Sequence, residues 1–275
     1  MSAVLTSSGP HRFIVVFDIK STSFYCLLRF KPSRIGRRHR ILKGVKPSEL
    51  PVTLPTKFEW SSTSRSPRRS GSGFVASLAR PDGNLTGFTT DNSALGGKWV
   101  ELLKEIAPRT VRVALMFNPA TAVPLKFYMP SVQAAASTSG VEVNATPVHA
   151  KDEIEGVIAA QARDEGSSLI VMPDPFNGEN REQITSLAAR YRVPAMYYLR
   201  EFGEAGGLIA YASDFAEQFP QAAAYVDRIL KGAKPADLPL QAPTKFDLVI
   251  NLKTAKSLGL DVPFGMQQRA DTLIE

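Results

Sequence analysis

Short polar side chains and aromatic rings stand at the ends of several apolar runs in this sequence. In a sheet of parallel strands, ligands bind outside the carboxyl ends of the strands, so residues at those ends are the first candidates for a binding site. The candidates are Asn118 after VRVALMF, Asp174 and Phe176 after LIVMP, Tyr198 at the end of VPAMYY, and Tyr211 and Asp214 at the end of and after GLIAY. This mixture of amide, carboxylate and aromatic groups suits a small polar ligand.

The same residues also have a purely structural interpretation. Asn118-Pro119 and Asp174-Pro175 are dipeptides that form turns. Ordinary loops between strands and helices use such residues without binding anything. The sequence therefore leaves both interpretations open at each candidate position.

Signatures of catalysis are missing from the sequence. It contains neither a G-x-S-x-G elbow nor a Walker phosphate loop. His11, His39 and His149 are too scattered to predict a metal cluster. The glycine-rich stretch 203–207 precedes a predicted strand, so it reads as a turn and not as a dinucleotide loop. We therefore expect no catalytic residue, no metal site and no cofactor, and predict that the protein is not an enzyme.

Apolar strands and striped helices alternate through the part of the chain that carries the candidates. Strands are predicted at Val111–Phe117, Val141–Val148, Leu169–Met172 and Val193–Tyr198. These runs are apolar throughout, which indicates strands covered on both faces, as in a parallel sheet between helices. A helix stripe at i, i+3, i+4, i+7 is formed by Trp99, Leu102, Leu103 and Ile106. The pattern predicts an α/β fold.

Two helix features are specific enough to test. Asp152 and Glu155 have the spacing of a capping box before the next helix. A helix is predicted at 215–231, where Phe219, Ala223, Val226 and Leu230 recur at helical spacing and form an apolar face. Strands are predicted on either side of this helix, at Leu208–Tyr211 and Phe246–Asn251.

A twenty-residue motif occurs twice in the chain. Residues 40–59 read RILKGVKPSELPVTLPTKFE and residues 228–247 read RILKGAKPADLPLQAPTKFD. A solenoid would show several units spaced by roughly 20–50 residues. Two isolated copies instead indicate that the N-terminal segment carries the tail end of a related protein.

Charge separates the first 72 residues from the rest. They hold 14 Lys and Arg but only three acids, whereas residues 73–275 carry a net charge of −4. A basic arm can bind nucleic acid or an anionic membrane surface. The alternative is a solvated, poorly ordered segment, because apolar periodicity is weak there apart from possible strands at 13–19 and 24–30.

Compartment signals are sparse. Cys26 is the only cysteine, so an intramolecular disulfide is excluded. No apolar run is long enough for a membrane-spanning helix. The start of the chain lacks the long apolar stretch and the cleavage site of a secretory signal, so the chain as written is expected in the cytoplasm.

Several motifs in the same order resemble one protein family. GFVASLARPDGNLTGFT, KWVELLKEIAPRTVRVALMFNP, LIVMPDPF, DLVINLKTAKSLGLDVP and RADTLIE are similar to those of the ABC-transporter substrate-binding proteins of the tryptophan/tyrosine-binding-like type, over about residues 73–275. The resemblance implies a type I periplasmic-binding-protein-like fold. In that fold two α/β lobes close on a small solute and deliver it to a membrane permease. It also implies a periplasmic location, and ligand groups at the strand ends named above.

The sequence departs from the family pattern at its N-terminal side. Residues 1–72 are expected to form a poorly ordered basic leader containing the motif copy 40–59. Residues 73–91 and 206–275 read as a remnant of lobe one and the hinge, and residues 92–205 as an intact lobe two. The chain thus resembles an N-terminally truncated or rearranged member of the family.

The resemblance implies a solute-binding component of an ABC-type importer for an amino acid or aromatic-like solute, impaired by loss of most of lobe one. The expected partners are that solute and a permease, without nucleic acid. Self-association is also expected, because the helix at 215–231 would lack the sheet that covers it in the family.

Three other interpretations remain. They are a non-functional remnant of a rearranged gene, a cytosolic ligand-sensing regulator, and an enzyme such as a flavodoxin-like one. Residues 1–72 show no helix-turn-helix pattern, which argues against a DNA-binding regulator.

Overall fold

The computed structural model of the protein describes residues 3–6, 11–17, 25–32, 79–81, 85–89, 92–122, 125–214 and 218–275. The chain divides into two compact units. The smaller unit comprises residues 1–91 and 215–243, and the larger unit comprises residues 92–214 and 244–275.

Strands and helices alternate along most of the described chain. The strands are β1 (Ala3–Thr6), β2 (His11–Phe17), β3 (Tyr25–Pro32), β4 (Leu85–Thr89), β5 (Arg112–Phe117), β6 (Glu142–Pro147), β7 (Ser167–Val171), β8 (Ala195–Tyr197), β9 (Ile209–Ser213), β10 (Phe246–Asn251) and β11 (Thr272–Ile274). The α-helices are α1 (Leu95–Ile106), α2 (Met129–Ser139), α3 (Glu153–Gln161), α4 (Pro175–Glu179), α5 (Arg181–Arg190), α6 (Arg200–Glu204), α7 (Gln218–Leu230), α8 (Leu252–Ser257) and α9 (Phe264–Arg269).

The larger unit is built on one sheet with the strand order β11-β10-β9-β8-β7-β5-β6. Neighbouring strands run parallel except β9 and β10, which are antiparallel. The strands β7 and β8 are buried along their whole length, and β5 along its middle, as strands covered by helices on both faces must be. The predicted α/β fold with a mostly parallel sheet is confirmed.

The edge strand β6 differs from its sequence-based description. Its residues are exposed or half-buried, so it is not apolar and covered on both faces. Glu142, Asn144 and Thr146 lie in it, and such residues suit an edge strand because they discourage pairing with other chains.

The boundary of the larger unit also differs from the sequence-based division, which put residues 206–275 with the first lobe. In the structure β9 pairs with β8 through Met196↔Ile209 and Tyr197↔Ala210, and β10 pairs with β9. These ladders extend the sheet that contains β5 to β8. From the C-terminal part, residues 215–243 belong to the smaller unit.

Helix α1 carries the predicted apolar stripe. Trp99, Leu102, Leu103 and Ile106 are each 1% exposed or less. The indole Nε1 of Trp99 donates a hydrogen bond of 2.9 Å to the carbonyl oxygen of Tyr211 in β9. The stripe therefore buries apolar area, and its hydrogen bond also fixes the position of α1 relative to β9.

Helices α1 and α2 approach each other closely at two glycines. A Cβ on Gly97 would lie 2.9 Å from the carbonyl oxygen of Ser131, and a Cβ on Gly96 would lie 2.7 Å from Cγ2 of Val132. The amide of Gly97 also donates to the Ser131 hydroxyl at 3.2 Å. At Gly97 the contact is therefore set by backbone atoms of α2, which cannot move aside as a flexible side chain can, whereas at Gly96 the nearest atom is a side-chain methyl group.

Helix α3 begins at Glu153, but the expected capping box is wrong. The Asp152 side chain makes no capping hydrogen bond. Glu153 Oε2 accepts a hydrogen bond from the backbone N–H of His149 at 2.7 Å. The acidic side chain that accepts a backbone hydrogen bond beside the start of α3 is therefore that of Glu153, one residue after Asp152.

The smaller unit contains an antiparallel sheet with the order β1-β2-β3-β4. The sequence predicts a poorly ordered leader at 1–72, and the structure describes β1, β2 and β3 within it. The motif copy at 40–59 and the polar seam at 60–72 lie outside the described residues.

Helix α7 packs beside β4, in a small apolar cluster formed by Phe88, Ala222, Tyr225, Ile229 and Leu238. The rings of Phe88 and Tyr225 are 4.9 Å apart. The predicted apolar face is displaced by about one residue, because Ala223 is exposed and Ala222 is buried. The side chains of Phe219 and Leu230 lie outside the described part of this helix.

The C-terminal copy of the repeated motif borders β4. The Thr86 hydroxyl donates to the carbonyl oxygen of Leu238 at 2.7 Å. The backbone N–H of Gln241 donates to the carbonyl oxygen of Gly87 at 3.0 Å. Residues 238–241 of the motif therefore satisfy polar groups of this strand.

We predict that Gly97→Ala destabilises the protein although alanine is the better helix former. The new methyl group meets the backbone of α2, so the free energy of unfolding should fall by about 1–3 kcal/mol. Urea unfolding measures the change. The matched control is Gly156→Ala in α3, where a Cβ meets nothing within 4 Å. That substitution should raise the free energy of unfolding by up to about 1 kcal/mol. Equal effects of both substitutions would contradict the close contact.

Candidate functional site

The chain changes direction across the sheet between β5 and β7. From β5 it crosses to β6 on one side and then returns to β7 on the other, as the order β8-β7-β5-β6 shows. Such a switch point leaves a crevice outside the carboxyl ends of the two strands, and ligands of open α/β sheets bind there. Asn118 directly follows β5, and Asp174 follows β7 by three residues.

The Asp174 carboxylate bridges this switch point. Its Oδ2 accepts a hydrogen bond of 2.6 Å from the backbone N–H of Asn118. Its Oδ1 accepts from the Thr121 hydroxyl at 2.6 Å and from the backbone N–H of Phe176 at 3.0 Å. The bond to Phe176 caps the start of α4, and the other two reach the loop after β5.

Asp174 is fully buried, with 0% of its surface exposed. Among the described residues no basic side chain forms an ion pair with it. Burial raises the pKa of the carboxyl above its ordinary value of 3.8, although the hydrogen bonds from Thr121, Asn118 and Phe176 act in the opposite direction. In this structure the carboxylate is directed to protein donors and not to solvent.

Asn177 is a second buried polar residue at the switch point. Its Nδ2 donates to the carbonyl oxygens of Met116 and Met172, at 3.2 and 3.0 Å. Its Oδ1 is buried and has no hydrogen-bond partner among the described residues. Asn177 and Thr121 were not predicted from the sequence, since neither stands directly at the end of an apolar run.

Two predicted aromatic residues lie in the same region. The Tyr198 hydroxyl donates to the carbonyl oxygen of Asp174 at 2.9 Å, and the residue is 5% exposed. Phe176 is half-buried, and its backbone N–H donates a hydrogen bond to the Asp174 carboxylate. The structure therefore brings Asn118, Asp174, Phe176 and Tyr198 together, from the ends of β5, β7 and β8.

Tyr211 and Asp214 form a separate group at the end of β9. The ring of Tyr211 stacks on Phe246 at 5.6 Å, and burial followed by the charge of Asp271 raises the pKa of its hydroxyl. Asp214 Oδ2 lies 2.8 Å from Lys245 Nζ. This ion pair joins residues beside two antiparallel strands, which gives Asp214 a structural role in the sheet.

A groove of about 530 Å³ lies along α1 and α2 and reaches Tyr211 and Phe246. Its walls include Gly97, Lys98 and Ser131, but none of the four residues around the switch point. Its position therefore differs from that of the crevice predicted by the strand order. We favour the crevice, because buried polar groups converge there.

Other kinds of site receive no support from the described part of the chain. No group of three or more potential metal ligands occurs among those residues. None of the described helices is long and apolar enough to cross a bilayer. His149 contributes its backbone carbonyl, which accepts from Asn118 Nδ2 at 3.3 Å.

We predict that Asp174 gives the stability of the protein a distinctive pH dependence. Because its folded-state pKa is raised, the folded chain holds the proton more tightly than the unfolded chain. Its contribution to the free energy of unfolding is therefore fully present below about pH 3.8 and is lost as the pH rises through the folded pKa. Urea unfolding of wild type and Asp174→Asn from about pH 3 to 7 checks this. The stability difference, wild type minus variant, should decrease with rising pH, and an increase would contradict the sign.

Solved structures of other proteins resemble the chain over most of its length. A conserved domain protein from Vibrio cholerae is 25% identical with a TM-score of 0.64, and the match covers 72% of this chain and 66% of that one. The ABC domain from Streptococcus pneumoniae in complex with L-Trp is also 25% identical with a TM-score of 0.64, covering 73% and 68%.

A more distant structure shares the fold. It is the ligand-free, open form of a substrate binding protein with adhesive properties from Clostridium difficile. The identity is 20%, the TM-score is 0.58, and the match covers 74% of this chain and 66% of that one. The chain thus spans about two thirds of the length of these structures. A direct comparison with curated protein sequences finds no match.

A family model matches residues 68–274, a range that includes β4 to β11 and all the candidate site residues. The family is described as ABC transporter substrate binding protein. The predicted type I periplasmic-binding-protein-like fold agrees with this match and is confirmed. Because the match extends over well more than half of the sequence, the chain belongs to the ABC transporter substrate binding protein family.

Proposed function

We propose that the protein is the solute-binding component of an ABC-type importer and takes a small organic solute, an amino acid or an aromatic-like compound. The observation that carries the proposal is the convergence of Asn118, Asp174, Phe176 and Tyr198 outside the carboxyl ends of β5, β7 and β8. Membership of the family supports the class of function. The L-Trp complex of the Streptococcus pneumoniae structure supports an aromatic amino acid as the first solute to test.

The proposed site has an apolar and a polar component. Phe176 is half-buried, so its ring offers apolar surface to a flat solute. Asn118 and Asp174 are buried and hydrogen-bonded, so they hold the shape of the crevice. Tyr211 and Asp214, at the end of β9, would reach only a solute that extends along the edge of the sheet.

Affinity of the isolated chain is proposed to be weak. Binding proteins of this family are expected to surround the solute with two lobes, and burying most of a ligand's surface is what makes such sites tight. About one third of the length of the related structures has no counterpart in the match to this chain.

A permease is the proposed protein partner. The compartment in which the protein works stays a prediction.

We predict that L-tryptophan or L-tyrosine at millimolar concentration raises the apparent melting temperature, since a ligand that binds only the folded state stabilises it. Phe176→Ala should weaken binding by about 10- to 100-fold, the loss expected when a large apolar side chain no longer contacts the solute. Calorimetry with the better of the two amino acids measures the dissociation constants.

The control for this experiment is Phe264→Ala. Phe264 is 72% exposed and begins α9, outside the proposed site. Its removal should leave the dissociation constant unchanged. If neither amino acid shifts the melting temperature, the proposed solute class is wrong. If both phenylalanine variants weaken binding equally, the solute is bound elsewhere.

Self-association is a separate proposal. Phe264 and Leu273 are large apolar residues with 72% and 38% of their surfaces exposed. An exposed apolar side chain gains stability when a second copy of the chain covers it. Light scattering over a concentration series should show a rising average mass, and a constant monomer mass would contradict the proposal.

A further inference from the structure

We propose that Asp174 is a positioning residue of the solute site: its carboxylate holds the loop 118–122 against the start of α4 and so sets the shape of the crevice. The inference rests on the proposed function for its solute part. Three donors converge on the carboxylate, namely the N–H groups of Asn118 and Phe176 and the hydroxyl of Thr121.

The loop 118–122 is organised around Asn118. The Asn118 carbonyl accepts from the amides of Thr121 and Ala122 at 3.2 and 2.9 Å, and its Oδ1 accepts from the amide of Ala120 at 2.9 Å. These bonds make the loop a compact unit but do not attach it to the segment after β7. Within the described residues, the hydrogen bonds that make this attachment end on Asp174.

The attachment begins where the ladder between β5 and β7 ends. The last paired residues are Met116 and Val171, followed by a bond from the Met172 amide to the Met116 carbonyl. Beyond this point the two strands separate, and the Asn118 amide would be buried without a backbone acceptor. A buried N–H without a partner destabilises the fold. Asp174 supplies the acceptor that the neighbouring strand no longer provides.

Only a carboxylate can serve all three donors in this arrangement. Asp174 uses Oδ2 for Asn118 and Oδ1 for Thr121 and Phe176. An asparagine has one acceptor oxygen and one donor nitrogen. Whichever way its amide turns, one of the two backbone N–H groups then faces a donor.

Amide hydrogen exchange of the full chain tests the positioning role. In Asp174→Asn, exchange should accelerate by at least about tenfold at Asn118 or at Phe176, but not at both, because one lost hydrogen bond is worth roughly a factor of ten. In Asp174→Ala it should accelerate at both. Amides inside β5 and β7 should keep the wild-type rates, which separates a local effect from general unfolding.

Thr121→Val provides a variant that leaves Asp174 in place. Thr121 is exposed, so the substitution should be tolerated. It removes one bond to Oδ1 and should accelerate exchange within 120–122, with Phe176 unaffected. Asp152→Asn is the control, since Asp152 is an exposed aspartate whose side chain makes no capping bond. Wild-type exchange at Asn118 and Phe176 in Asp174→Ala would overturn the inference.

L-Tryptophan is the probe for the solute part, with L-tyrosine as the second choice. In calorimetry, Asp174→Asn should raise the dissociation constant by about tenfold or more, while Asp152→Asn should leave it unchanged. Loosened loop amides with unchanged affinity would overturn the positioning role and leave the proposed function standing. If the wild type binds neither amino acid, the proposed solute class and the solute part of this inference both fail. The exchange rates then still decide whether Asp174 fixes the loop.

Discussion

The hydrogen-bonding demand of the backbone where β5 and β7 separate is the constraint on which the candidate site depends. Parallel strands satisfy each other's amides and carbonyls only while they run side by side. At a switch point the following segments diverge, and their buried polar groups need new partners. Asp174 and Asn177 supply them from the same short segment, the first accepting from the Asn118 amide and the second donating to Met116 and Met172. At the edge of the crevice, side-chain hydrogen bonds thus take the place of the backbone hydrogen bonds between strands.

The rest of the larger unit holds this edge at a fixed place. Trp99 joins α1 to β9 through its indole nitrogen, and Gly96 and Gly97 let α2 approach α1 at backbone distance. Since α2 follows this loop between β5 and β6, and close-packed interiors transmit small displacements, a shift in the helix pair would move the end of the loop that Asp174 holds. The buried carboxylate and the helix contact therefore act on the same loop from its two ends. Such support is what a binding edge built on loops requires.

The sequence predicted the framework better than the site. Apolar strands at 111–117, 169–172 and 193–198 were recognisable because burial on both faces leaves an uninterrupted apolar run. The carboxyl ends of these strands could then be located, and with them the candidate residues Asn118, Asp174, Phe176 and Tyr198.

Whether a carboxylate faces the ligand or the protein depends on neighbours far along the chain. Thr121 is 53 residues from Asp174, so no local pattern records their hydrogen bond. The capping box at Asp152 was wrong and the apolar face of α7 was misplaced by one residue for a related reason, since contacts with distant residues set which side chains of a helix are buried. The boundary after residue 205 was missed because β9 and β10 pair across a segment that belongs to the other unit.

That interruption has a consequence for how the protein is made. The larger unit is discontinuous in the chain, and β9 is synthesised more than thirty residues before β10. Until Phe246–Asn251 emerges, the edge of β9 exposes unpaired backbone groups next to Ile209 and Ala210, both of which are fully buried in the finished fold. An open apolar edge is a template for pairing with other chains. During biosynthesis the β9 edge is therefore a place where a nascent chain can pair with other chains, and where a chaperone that recognises extended apolar segments would act.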